Sequence, residues 1–124
     1  MRQIHLVLDT SAVIAYARSS EHVGETLTQV LENEAAFTAP ATVLALAATR
    51  AELALVDLLT KHQAFQPVEL EWTRWPALAA SLGLLRRPDA AEALLLALDF
   101  DCHVLSGEAE LYAPLGDDPP IITI

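Results

Sequence analysis

The chain opens on a nearly unbroken apolar run, IHLVL at residues 4–8, which stops at Asp9 and two hydroxyls, Thr10 and Ser11. A short run of this kind reads as a buried strand, and the apolar stretch from about Ser11 reads as a short helix. In EHVGETLTQVLENE, Val23, Leu27, Val30 and Leu31 share one face at helical spacing, with Ser20 placed to cap the helix. AFTAP reads as a short strand that delivers Pro40 to a helix start. From Ala41 to about His62 the composition is helical, with a break into two helices at Thr49 and Arg50. AFQPVEL has the pattern of a strand, which Pro67 demotes to an edge. Residues 73–85 read as a helix with Pro76 near its first turn. RRPDAAEALLLALDF reads as a helix apolar over most of its surface and therefore buried. CHVLS is a strand, GEAELY a turn or short helix, and IITI a final strand.

Strands that alternate with helices argue for an α/β domain with a mainly parallel sheet. Sites in such sheets collect at the carboxyl ends of the strands. Asp9 lies just past the first strand, and Ser106, Gly107 and Glu108 lie just past HVL at residues 103–105. Asp89 opens the buried helix that leads into CHVLS. If the two strands are central neighbours, Asp9 and Glu108 lie on one edge of the sheet, which Asp89 can approach from the first turn of a crossover helix. Three converging carboxylates repel one another unless a cation binds. Oxygen donors of this kind suit Mg²⁺ or Mn²⁺, and the usual work of such a site is phosphodiester hydrolysis. Each acid also has a structural reading. Asp9 is a good helix N-cap, Asp89 after Pro88 suits a helix dipole, and Glu108 fits a solvated loop. Glu92 and Asp99 share a helix face and read as a solvated or interface stripe.

Composition narrows the field. The 124 residues suit one domain, 1–124, and the 53% hydrophobic content supplies a core. Aromatics are only 6%, so Ala, Leu and Val must build it. The net charge of −10 disfavours broad electrostatic wrapping of nucleic acid but not a local contact through a metal. The single cysteine, Cys102, excludes an intrachain disulfide and a multi-thiolate zinc site. No signal peptide and no apolar run of about 18 residues is seen, so a cytoplasmic protein without a membrane segment is expected. There is no Gly-rich phosphate loop and no zincin helix. Cys102, His103, Trp72 and Trp75 read as packing residues, with dimer packing or base stacking as further roles for the tryptophans.

With Asp9, Asp89 and Glu108 in hand, the chain resembles a PIN domain, specifically the small VapC-type toxins of toxin–antitoxin pairs. VLDTSAVIAY looks like the family's opening strand, acid, Thr-Ser and helix. DAAEALLLALDFDCHVLSGEAELY looks like its C-terminal half: an acid, an apolar helix, a strand, then a hydroxyl, a small residue and an acid before a Tyr. The resemblance implies a three-layer α/β/α fold and a Mg²⁺- or Mn²⁺-dependent endoribonuclease. Asp9, Asp89 and Glu108 would hold the metal, Ser106 would stand where the family usually has Thr, and Thr10 and Ser11 would support the first acid or the water. RNA, an antitoxin-like protein and a second copy of the chain are the partners it implies.

The chain departs from the pattern at two places. The family's second acid, a Glu expected near Leu44 to Leu46, is absent, since no acid occurs between Glu34 and Glu52. The fourth acid is Glu108 rather than Asp. A missing ligand weakens cation binding, and a few kcal/mol of lost stabilisation costs about two or three powers of ten in rate. The alternative expectation is therefore a catalytically weakened or dead PIN-fold protein that acts as a binding or regulatory module. Arg86 and Arg87 read either as a basic rim for RNA or as an exposed loop pair, and Arg50 is a further candidate for the rim.

Overall fold

The computed structural model describes residues 2–124. β1 (Ile4–Leu8) leads into α1 (Thr10–Ala17) and α2 (Glu21–Glu32), followed by β2 (Ala36–Thr38). α3 (Ala41–Ala47), α4 (Leu53–Thr60), α5 (Trp75–Leu85) and α6 (Pro88–Asp99) come next. β3 (His103–Ser106), a 3₁₀ segment (Ala109–Leu115) and β4 (Ile121–Thr123) close the chain.

The four strands form one sheet in the order β2-β1-β3-β4, and every pairing is parallel. The β1–β2 and β2–β3 connections run in opposite directions across this order. Right-handed crossovers then put their helices on opposite faces, which is compatible with a three-layer α/β/α arrangement. β1 feeds toward one edge and β3 toward the other, so the carboxyl ends of β1 and β3 flank the crevice where α/β proteins place their sites.

β1 and β3 are apolar because parallel strands are covered on both faces. Leu6, Val7, Leu8, Val104 and Leu105 are all 3% exposed or less. α6 packs on β1 and β3 and buries Ala90 to Leu96 apart from Glu92, which explains its apolar surface. Small residues let the layers approach: Ala12, Ala47, Ala93 and Ala97 have no exposed surface. Among the described residues, no helix is long and apolar enough to cross a membrane.

Three expectations change. AFQPVEL is not a strand: only Phe65 forms an isolated bridge, to Phe37. The Phe37 N–H donates to Ala64 and the Gln66 N–H to Phe37, but β2 ends at Thr38 and the chain turns at Pro40 into α3, so the ladder goes no further. Trp72 and Trp75 do not pack in the core; they are 82% and 58% exposed at the start of α5. His103 is exposed, while Cys102 is half-buried with its thiol pushed up to about 11 by burial and by the neighbouring Asp101. The break near Thr49 and Arg50 is found between α3 and α4, and Ser20 caps α2 through the Val23 N–H.

Candidate functional site

β1 ends at Asp9, whose backbone N–H still reaches across to the Leu105 carbonyl on β3 at 3.2 Å. This pairing fixes Asp9 beside the end of the neighbouring strand. Its extended backbone makes it the N-cap of α1, and Oδ1 accepts from the Ala12 N–H at 3.1 Å. Oδ1 also accepts from the Ser11 hydroxyl at 2.6 Å, and Oδ2 accepts from the Tyr112 hydroxyl at 2.8 Å. The carboxylate is 2% exposed, so these donors replace water.

Ser106 is the last residue of β3 and is fully buried. Its hydroxyl accepts from the Glu108 N–H at 2.9 Å and lies 3.4 Å from the Ser11 hydroxyl. The Ser11 hydroxyl also accepts from the Gly107 N–H at 2.8 Å. Ser11 thus ties the start of α1 to the loop after β3.

Asp89 enters from the first turn of α6 and is 2% exposed. The Thr10 hydroxyl donates to its Oδ2 at 2.7 Å. The Arg87 guanidinium straddles the same carboxylate: Nη2 donates to Oδ2 at 2.9 Å and Nε to Oδ1 at 3.3 Å. Its third nitrogen, Nη1, donates to Glu108 Oε2 at 3.4 Å. Burial raises the Asp89 pKa, but the hydrogen bonds from Arg87 and Thr10 and the Arg87 charge outweigh it, leaving the carboxyl below its ordinary value. Arg87 holds its proton more firmly than usual, chiefly through the hydrogen bonds to Asp89 and against the effect of burial. Tyr112 is held protonated by burial, reinforced by the charge of Asp9 and the hydrogen bond to it.

The chain geometry around Arg87 follows from local sequence. α5 ends on Arg86 in the left-handed region (φ 63°), and its N–H satisfies the Leu82 carbonyl. Arg87 is extended, as a residue before proline must be, and Pro88 begins α6. The two arginines therefore separate. Arg86 is exposed and Arg87 is drawn into the pocket.

Asp9, Thr10, Ser11, Asp89, Ser106 and Glu108 thus come together at the carboxyl edge of the sheet, joined by hydrogen bonds among themselves and through Arg87. Arg50 stands apart, lining with Arg18, Ser11 and Glu108 a cleft of about 650 Å³ beside the pocket. Glu52 occupies the N-cap position of α4 without a side-chain capping bond and is exposed. Glu92 accepts from Thr42 of α3, and Asp99 pairs with Arg74. Two pocket residues escaped sequence reasoning in these roles. Tyr112 was visible only as the Tyr that closes the C-terminal pattern, and Arg87 only as half of a loop pair.

Oxygen donors alone suit Mg²⁺ or Mn²⁺, but their arrangement here does not. All four carboxylate oxygens of Asp9 and Asp89 accept protein hydrogen bonds, and a guanidinium stands between Asp89 and Glu108. Among the described residues, no three Asp, Glu, His or Cys side chains are grouped so as to hold one ion. The residues as arranged do not fit a resident divalent cation. Compared with protein-family models and with curated protein sequences, the chain matches none.

Proposed function

We propose that the chain is a PIN-like domain of the VapC type that has given up metal-dependent cleavage of RNA and works as a binding and regulatory module. The observation that carries this reading is the incomplete acid set. α3 leaves the carboxyl edge beside β2, where the resemblance requires a Glu, and offers Leu44, Ala45 and Leu46. Leu44 is turned partly into the core, while Ala45 and Leu46 are exposed. The rest of the pocket keeps the PIN-like pattern at the sequence positions that carry the resemblance. RNA, an antitoxin-like protein and a second copy of the chain are its proposed partners.

A second reading is a working Mg²⁺- or Mn²⁺-dependent endoribonuclease, the toxin of a toxin–antitoxin pair. It is favoured by the convergence of Asp9, Asp89 and Glu108 with three hydroxyls at one edge. RNA cleavage assays with each metal separate the two. The module reading predicts equal, background-level cleavage by the wild type and Asp9→Asn. Metal-dependent cleavage that is lost in Asp9→Asn overturns it in favour of the nuclease.

A further inference from the structure

We infer that Arg87 is the resident cation of the acidic pocket: its guanidinium stands in for a divalent ion between Asp89 and Glu108, and it shuts such ions out. The inference rests on the pocket geometry alone and stands whether or not the protein acts on RNA.

Two buried carboxylates and a third at the rim need positive charge close by, because desolvation and mutual repulsion both work against their ionised forms. Arg87 supplies that charge covalently. All three kinds of guanidinium nitrogen are used, two in a fork on Asp89 and one on Glu108. A planar fork on a carboxylate is the strong geometry for this pair. Asp89 has 3% of its side chain exposed and Arg87 32%, so the bond is shielded from water on the acid's side. A divalent ion approaching these oxygens would meet a positive charge and donors already in place. It would have to displace the arginine before binding. Pro88 limits that displacement. It holds Arg87 extended, and the left-handed turn at Arg86 sets the direction of approach.

The same geometry gives the consequence of losing Arg87. Asp89 would be buried with only neutral partners, the Thr10 hydroxyl and the Ala90 N–H, and Asp9 and Glu108 would remain nearby without a counter-charge. The fold would then be weaker but open to metal.

The test uses Mn²⁺ as the probe, with titration calorimetry and thermal melting of the full chain. In wild type, millimolar Mn²⁺ should leave Tm unchanged and give no saturable heat. Arg87→Gln should melt about 8 °C lower in chelator, the size expected for stripping a mostly buried carboxylate of its ion-pair partner. It should recover most of that loss in Mn²⁺ and bind the ion at least about tenfold more tightly than wild type. Arg87→Lys keeps the charge without the fork. It should fold even if the glutamine variant does not, melt between the two and gain little from Mn²⁺. Equal Mn²⁺ affinity in wild type and Arg87→Gln, or a full Mn²⁺ response in Arg87→Lys, would overturn the inference.

Discussion

Asp9 accepts from Ala12 and Ser11 on one oxygen and from Tyr112 on the other, so the carboxylate that caps α1 also floors the pocket. From sequence, capping and site chemistry look like rival readings of this residue. The structure shows the cap, and the same strand end sets the carboxylate in the pocket at the sheet's carboxyl edge. Asp89 joins its two readings likewise, as first-turn acid of α6 and as pocket acid. Arg87 was legible only as a charge near the site. Its direction depends on the left-handed turn at Arg86, which a non-glycine residue does not announce. The pair makes a pH prediction. In wild type the folded Asp89 carboxyl lies below its ordinary value of 3.8. Its stabilising contribution is therefore present above that value and lost as the pH falls through the lower, folded value. In Arg87→Gln the hydrogen bonds and charge of Arg87 are gone, so the folded value rises above that of the wild type and Asp89 contributes less stability at neutral pH. The stability gap between wild type and variant, measured by urea unfolding, should narrow as the pH is lowered from 7 toward about 4. A gap that widens over that range contradicts the assigned pairing.

Among the elements, the strands at the centre of the sheet were the most legible. IHLVL and HVLS are short apolar runs flanked by polar residues, and nothing but a buried parallel strand accommodates them easily. AFQPVEL carries the same local pattern and fails, since strand formation needs a partner edge and the neighbouring β2 is only three residues long. The exposure of Trp72 and Trp75 was likewise hidden: composition says that indoles prefer burial, but not that this helix start lies at the surface. What positions the pocket is the joint between α1 and α6, and it is made by Thr10. This residue is 2% exposed and donates to Asp89 Oδ2 at 2.7 Å. Thr10→Val keeps the shape of the side chain and removes the donor. It should lower stability by about 1.5–3 kcal/mol, the range for a hydrogen bond to a charged group, read from the urea midpoint at unchanged slope. A loss under about 0.5 kcal/mol means that the joint does not depend on this bond.

For the whole molecule, a net charge of −10 concentrates the problem that Arg87 solves locally. Four of the seven Lys and Arg residues form no ion pair among the described residues, yet Arg87 contacts two acids. The parallel sheet order brings β1 and β3 side by side, and with them Asp9 and Glu108, while α6 adds Asp89. The sequence also shows no acid between Glu34 and Glu52, where the resemblance implies one near Leu44 to Leu46. What it did not mark was that a side chain of the chain itself answers the remaining charge. The internal cation is the central claim: an acidic pocket whose charge is answered by Arg87. The most direct measurement is a crystal of the wild-type protein soaked in Mn²⁺ and read by anomalous scattering. The account predicts no anomalous peak among Asp9, Asp89 and Glu108, with the Arg87 guanidinium still on Asp89. A peak at that position with Arg87 turned out to solvent would contradict it.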